Sequence, residues 1–177
     1  MNPRKKAIRI LLLLSLFFSN QINSQTSDTT NLFVKEIVNA FKSNDFLVYK
    51  RLLLTSEEFA NEVAPIVQKD TAYRIPDFMI QEGIQFYKDG KLEKLNAKLF
   101  DDILKDARTL GLLSWDDAKY ISFGTQGRIF VQRDPRLVMG NLVFSCQGKL
   151  YELYGVYGVK LNNAIKLILI RGIRVLV

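Results

Sequence analysis

With no histidine and one cysteine in 177 residues, the chain excludes Ser-His and Cys-His catalysis, the commonest zinc ligand and any internal disulfide. Its formal charge of +7 is unevenly spread: residues 1–24 carry four cations and no acid, residues 25–117 hold 12 Lys and Arg against 16 Asp and Glu, and residues 118–177 hold 9 against 2. An acidic part followed by a basic one marks either an anion-binding surface or acidic elements packed over basic ones.

The start of the chain reads as a secretory signal. Arg4, Lys5, Lys6 and Arg9 are positive, residues 10–18 are apolar apart from Ser15, and small and polar residues follow to Gln25. The apolar run is shorter than the ~20 residues that span a bilayer. A retained amphipathic anchor is the alternative, because Arg9 interrupts the pattern. The expectation is cleavage near Ser24 and a periplasmic or secreted product without a transmembrane span, with residues 25–177 as a single domain. Nucleic acid is not an expected partner of an exported protein.

Helical periodicity dominates the first part. Phe33, Ile37, Val38 and Phe41 share one helix face. Asn44 and Asp45 cap a second short helix with Phe46, Leu47, Leu52 and Leu53. Thr55 and Glu58 have the spacing of a capping box, opening a helix with Phe59, Val63, Ile66 and Val67 inward and Pro65 kinking or dividing it. Pro76 opens a further helix carrying Phe78, Ile84 and Tyr87, ended by Asp89 and Gly90. Leu92, Leu95, Leu99, Phe100, Ile103, Leu104, Ala107 and Leu110 make one stripe. Gly111 suits the left-handed position that ends it, with Leu112 folding back.

After Trp115 the period shortens. Strands are expected at 118–123, 128–133, 142–146 and 150–154, then 156–161 as an extension or a new strand, then 164–170 and 173–177. Gly148 and the Asn162-Asn163 pair mark tight turns, and Gly172 marks a bulge before the last segment. Connections this short require antiparallel pairing. The fold class is α+β: helices (31–113) packed on a curved antiparallel meander of four to six strands (118–177). Apolar residues on both sides of these strands call for cover on both faces.

The stretch GNLVFSCQGKLYELYGVYGVKLNNAIKLILI, with NDFLVYKRLLLTSEEF upstream, resembles exported NTF2-like and cystatin-like proteins. The resemblance spans roughly residues 31–60 and 115–170, and it implies a curved sheet with a concave pocket. Enzymes of that type commonly place an Asp or His there; this chain has no His, and no family Asp maps onto a particular position.

Glu152 is one of two acids in the basic part. Strand parity sets it opposite Tyr151 and Leu153. Arg128, Gln132, Ser145 and Lys166 share its face if the register allows. It serves either a structural ion pair or a catalytic base. Tyr151, Tyr154 and Tyr157 line one pocket only if Gly155 makes a bulge. Arg128, Glu152, Tyr154 and Lys166 are the candidate ligand-binding residues. Arg171 and Arg174 either grip an anion or keep an edge strand soluble. Cys146 reads as a small core hydrophobe, Ser114 with Asp117 as a local turn, and Asp101 with Asp102 as a solvated face. With no phosphate loop, dinucleotide fingerprint or metal spacing, neither catalytic residues nor a cofactor is expected. The functional expectation is a non-catalytic binding or interaction domain of the cell envelope, for an anionic ligand or a protein partner. Its alternatives are a small enzyme using Glu152 and an envelope assembly subunit.

Overall fold

The computed structural model describes residues 28–69, 76–124, 137–162 and 164–176. The expected signal segment, the strand expected at 128–133 with Arg128 and Gln132, the Val67 side chain and Asn163 lie outside them. Helix α1 (Asp28–Ser43) buries Phe33, Val34, Ile37, Val38 and Phe41 along one face. Asn44 turns the chain in the left-handed region, and the Asp45 carboxylate caps α2 (Phe46–Lys50) by accepting from the Leu47 N–H at 2.8 Å. The capping box forms as expected. Thr55 Oγ1 accepts from the Glu58 N–H at 3.1 Å, and Glu58 Oε2 accepts from the Thr55 N–H at 2.9 Å.

Past that box, α3 (Ser56–Glu58) widens into a π turn (Phe59–Val63) before α4 (Ala64–Lys69). The Ala64 N–H reaches back five residues to the Phe59 carbonyl. A proline ring clashes with the carbonyl four residues before it, and the wider turn accommodates Pro65 without breaking the helix. In α5 (Asp77–Lys88), Ile80, Gly83 and Tyr87 face inward. Phe78, which the same helix carries, is exposed, because it lies on the opposite side of the first turn from Ile80. Helix α6 (Lys91–Thr109) is the longest among the described residues. Gly111 takes the left-handed conformation (φ 86°), and the Leu112 N–H returns to the Ala107 carbonyl at 2.9 Å, burying Leu112.

Among the described residues four antiparallel strands follow in the order β1-β2-β3-β4: β1 (Lys119–Gly124), β2 (Leu137–Cys146), β3 (Lys149–Lys160) and β4 (Ile165–Leu176). They form a curved, open sheet. Residues 156–160 extend β3 rather than starting a strand. The bulge expected at Gly172 is absent, since β4 holds its register with β3 there; it slips between Leu167 and Leu169 instead.

Two apolar cores explain the two-sided strands. One joins α1, α2 and the second half of α6 to Leu142, Phe144, Leu153, Val156, Leu167 and Ile170. A row of rings runs through it: Tyr151 on Phe144 (5.6 Å), Phe144 on Trp115 (4.9 Å), Trp115 on Phe41 (4.8 Å) and Phe41 on Phe100 (5.0 Å). The other core gathers Leu54, Phe59, Ile80, Tyr87 and Leu92 against Val159, Ile168 and Leu169.

Helix α6 contributes to both cores, and Asn96 lies between its contributions. Fully buried, Asn96 donates to the Ile168 carbonyl at 2.9 Å and to the Leu92 carbonyl at 3.1 Å, and it accepts from the Tyr49 hydroxyl at 3.3 Å. It thus satisfies an edge-strand carbonyl at the slip in β4. Residues 52–54 pair with the same strand, through Leu167 N–H to Leu52 O (2.7 Å) and Leu54 N–H to Leu167 O (2.8 Å). Asn96→Ala strands two buried polar groups at once. It is expected to lower unfolding free energy by about 2–4 kcal/mol in a urea titration, against less than about 0.5 kcal/mol for Lys98→Ala on the exposed face of the same helix.

Candidate functional site

The candidate site is the face of β2, β3 and β4 turned away from α1, centred on Glu152. Opposite Asn141 of β2 stand two residues of β3, Tyr154 and Gly155, and Gly155 adopts φ 61°. This is a bulge with glycine in the left-handed position. It resets the alternation: Leu153 and Val156, three apart, both enter the core under α1. Asn141 pins the bulge. Its Oδ1 accepts from the Gly155 N–H at 2.9 Å, and its Nδ2 donates to Glu152 Oε1 at 3.1 Å. These partners fix the amide orientation, because an N–H needs an acceptor and a carboxylate needs a donor.

Glu152 is 0% exposed, and Arg174 Nε closes on its other oxygen. A carboxylate enclosed in this way requires a cation and hydrogen-bond donors. The cation is Arg174, directly opposite in β4. Neither Lys166 nor the Ser145 hydroxyl bonds to Glu152, and Arg128 lies outside the described residues. Arg174 remains 54% exposed and extends over the Tyr154 ring at 5.8 Å, and Arg171 lies over the Tyr157 ring at 5.1 Å. Tyr154 itself is 37% exposed. Gly172 leaves room for its ring, since a Cβ there would come within 2.6 Å of the Tyr154 hydroxyl. The bulge therefore brings Tyr154 and Tyr157 to one face, while Tyr151 belongs to the aromatic row of the core.

Of the four expected ligand-binding residues, the structure brings Glu152 and Tyr154 together and separates Lys166 from them. Lys166 Nζ pairs with Glu58 Oε1 at 3.1 Å and ties β4 to the end of α3. Lys50–Glu93, Lys91–Asp89 and Lys98–Asp102 stay among the helices.

Asn141 escaped sequence reading. Its signal was a Gly-Asn pair inside an apolar strand, across from a second glycine. The turn before β1 also differs from expectation: Ser114 bonds Asp116, not Asp117, with Oγ to Oδ2 at 2.7 Å and the Asp116 N–H to Oγ at 3.1 Å. Cys146 is buried, and its Sγ–H donates to the Ser114 carbonyl. Burial, then the nearby Asp117 charge, pushes its thiol above the ordinary value, the direction that suppresses thiolate chemistry. No group of residues able to hold a metal occurs among the described residues, and no helix there is long and apolar enough to cross a membrane. Compared with known proteins, the chain matches no family model, no curated protein and no solved structure.

The Glu58 clasp gives a pH signature. Burial raises the Glu58 carboxyl, but the Thr55 N–H, Lys166 and the Thr55 hydroxyl outweigh it and hold the group below its usual 4.5. A carboxyl depressed in the folded state stabilises above its unfolded value and loses that contribution as pH falls through the folded one. Urea titrations should show the wild type more stable than Glu58→Gln by about 1 kcal/mol at pH 7. That gap is expected to hold to about pH 5 and to close below 4.5; an unchanged gap at pH 3 contradicts the assignment.

Proposed function

We propose that this chain is an exported, non-catalytic binding domain that presents its sheet to an anionic envelope ligand or partner. One observation carries the reading. The described strands hold six cations, Lys119, Lys149, Lys160, Lys166, Arg171 and Arg174, against one acid, Glu152, and that acid is enclosed. What the sheet shows to water is therefore positive, and five of the six cations are exposed. On the outer face, Arg171 and Arg174 lie over tyrosine rings, an arrangement that offers planar donors beside aromatic surface. The start of the chain supports export through its charged and apolar segments.

The enzyme alternative finds less support. A general base must reach the proton it abstracts, and both Glu152 oxygens are engaged by Arg174 and Asn141 with no exposed surface. The resemblance to NTF2-like and cystatin-like proteins agrees with this reading, since it implies a curved sheet on which a ligand sits.

Titration with phosphatidylglycerol vesicles, polygalacturonate and polyglutamate tests the reading. At least one probe is expected to bind at about 0.05 M salt and to release at about 0.3 M, where charges are more strongly screened. Arg171→Gln should weaken that binding several-fold. Salt-independent binding, or none to any of the three, contradicts it.

A further inference from the structure

The ends of α1 and α6 and the segment leading into β1 surround a cleft of about 190 Å3, which none of the expected site residues lines. We propose that this cleft binds a small amphipathic carboxylate. The ligand's aromatic or branched apolar body rests against Leu104, Leu113 and Trp115, and its anionic end lies between Lys42 and Arg108.

The apolar side is built from packed rings. Phe41 and Trp115 are stacked at 4.8 Å and held from behind by Phe144 and Phe100. Leu113 stands on the rim, 79% exposed, beside the fully buried Leu112. Covering Leu113 would remove apolar surface from water, which favours an apolar occupant. A dry cavity of roughly 150 Å3 takes a benzene ring, so this cleft has room for a ring and a short acidic arm.

The charged side comes from two helices. Lys42 is in the last turn of α1 and Arg108 in the last turn of α6. A cation in a last turn ordinarily answers the free carbonyls and the helix dipole. Here hydrogen bonds already answer several of those carbonyls. Ser43 Oγ donates to Ala40 O at 2.7 Å and the Asn44 N–H to Phe41 O at 3.1 Å. At the end of α6 the Leu110, Gly111 and Leu112 N–H groups return to Asp106, Arg108 and Ala107. Lys50, Lys91 and Lys98 of the same layer each hold an acid, whereas Lys42 and Arg108 hold none among the described residues. The lining holds one carboxylate, Asp116, which accepts from the Ser114 hydroxyl and keeps its charge, so two cations face one acid. The cleft thus keeps a net positive charge beside an apolar wall. Nothing here depends on the sheet face.

Trp115 is the only tryptophan in the chain, so its fluorescence reports on the cleft. Phenylacetate titrated into the mature protein should change it saturably, with a dissociation constant on the order of 1 mM or tighter. The neutral phenylacetamide, and phenylacetate with the Lys42→Gln/Arg108→Gln double variant, should each bind at least about fivefold more weakly. Leu113→Ser, at an exposed position, should weaken both probes while the unfolding midpoint stays unchanged. No saturable change, or equal affinity for the amide and in the charge variant, overturns the proposal.

Discussion

The hydrogen bond from the Gly155 N–H to Asn141 Oδ1, at 2.9 Å, fixes the slip on which both faces of the sheet depend. Without a bulge, the alternation of β3 would send Val156 out of the core that holds Leu153, or Tyr157 out of line with Tyr154. Gly155 takes the left-handed backbone that permits the slip. Asn141 uses its remaining donor on Glu152, so the bulge and the enclosed carboxylate share one side chain. Arg174 then balances Glu152 from the neighbouring strand, and its exposed end reaches Tyr154. A single polar cluster therefore connects β2, β3 and β4 and leaves a face of arginine and tyrosine. An ion pair with one enclosed partner contributes little stability over a well-packed apolar substitute; here its consequence is positional.

The helical layer answers the other requirement of the strands, cover on two sides. Helix α6 takes part in both cores, and its polar interruption, Asn96, falls where β4 slips and an edge carbonyl needs a donor. The segment at 52–54 pairs beside it, and the capping box after it is joined to the sheet by Lys166. Edge strands left unpaired invite association with other chains. Here part of β4 is closed by helix and loop, and Arg171 and Arg174 mark the remainder.

Local patterns were legible in the sequence. The stripe of α6, the Thr55–Glu58 box, the turn of Gly111 and Leu112, the meander after Trp115 and the core position of Cys146 each rest on residues a few positions apart. The α+β class followed from the change of period. Partnerships across the sheet were not legible. Arg174 meets Glu152 at a separation of 22 residues, and two slips, one in each strand pair that β3 makes, lie along that sheet. A one-residue slip changes which side chains share a face, so strand parity alone could not choose among Arg128, Lys166 and Arg174. Asn96 was hidden for a related reason: it interrupts an apolar stripe, and its partner is 72 residues away.

Hydrogen exchange at the Gly155 amide tests the central claim most directly. An outward bulge amide bonded to a half-buried side chain should exchange far more slowly than a free loop amide, and Asn141→Ala should speed it by at least about tenfold while amides of α6 stay unchanged. Fast exchange in the wild type, or no acceleration in the variant, would show that Asn141 does not hold the slip and that the outer face is organised in another way.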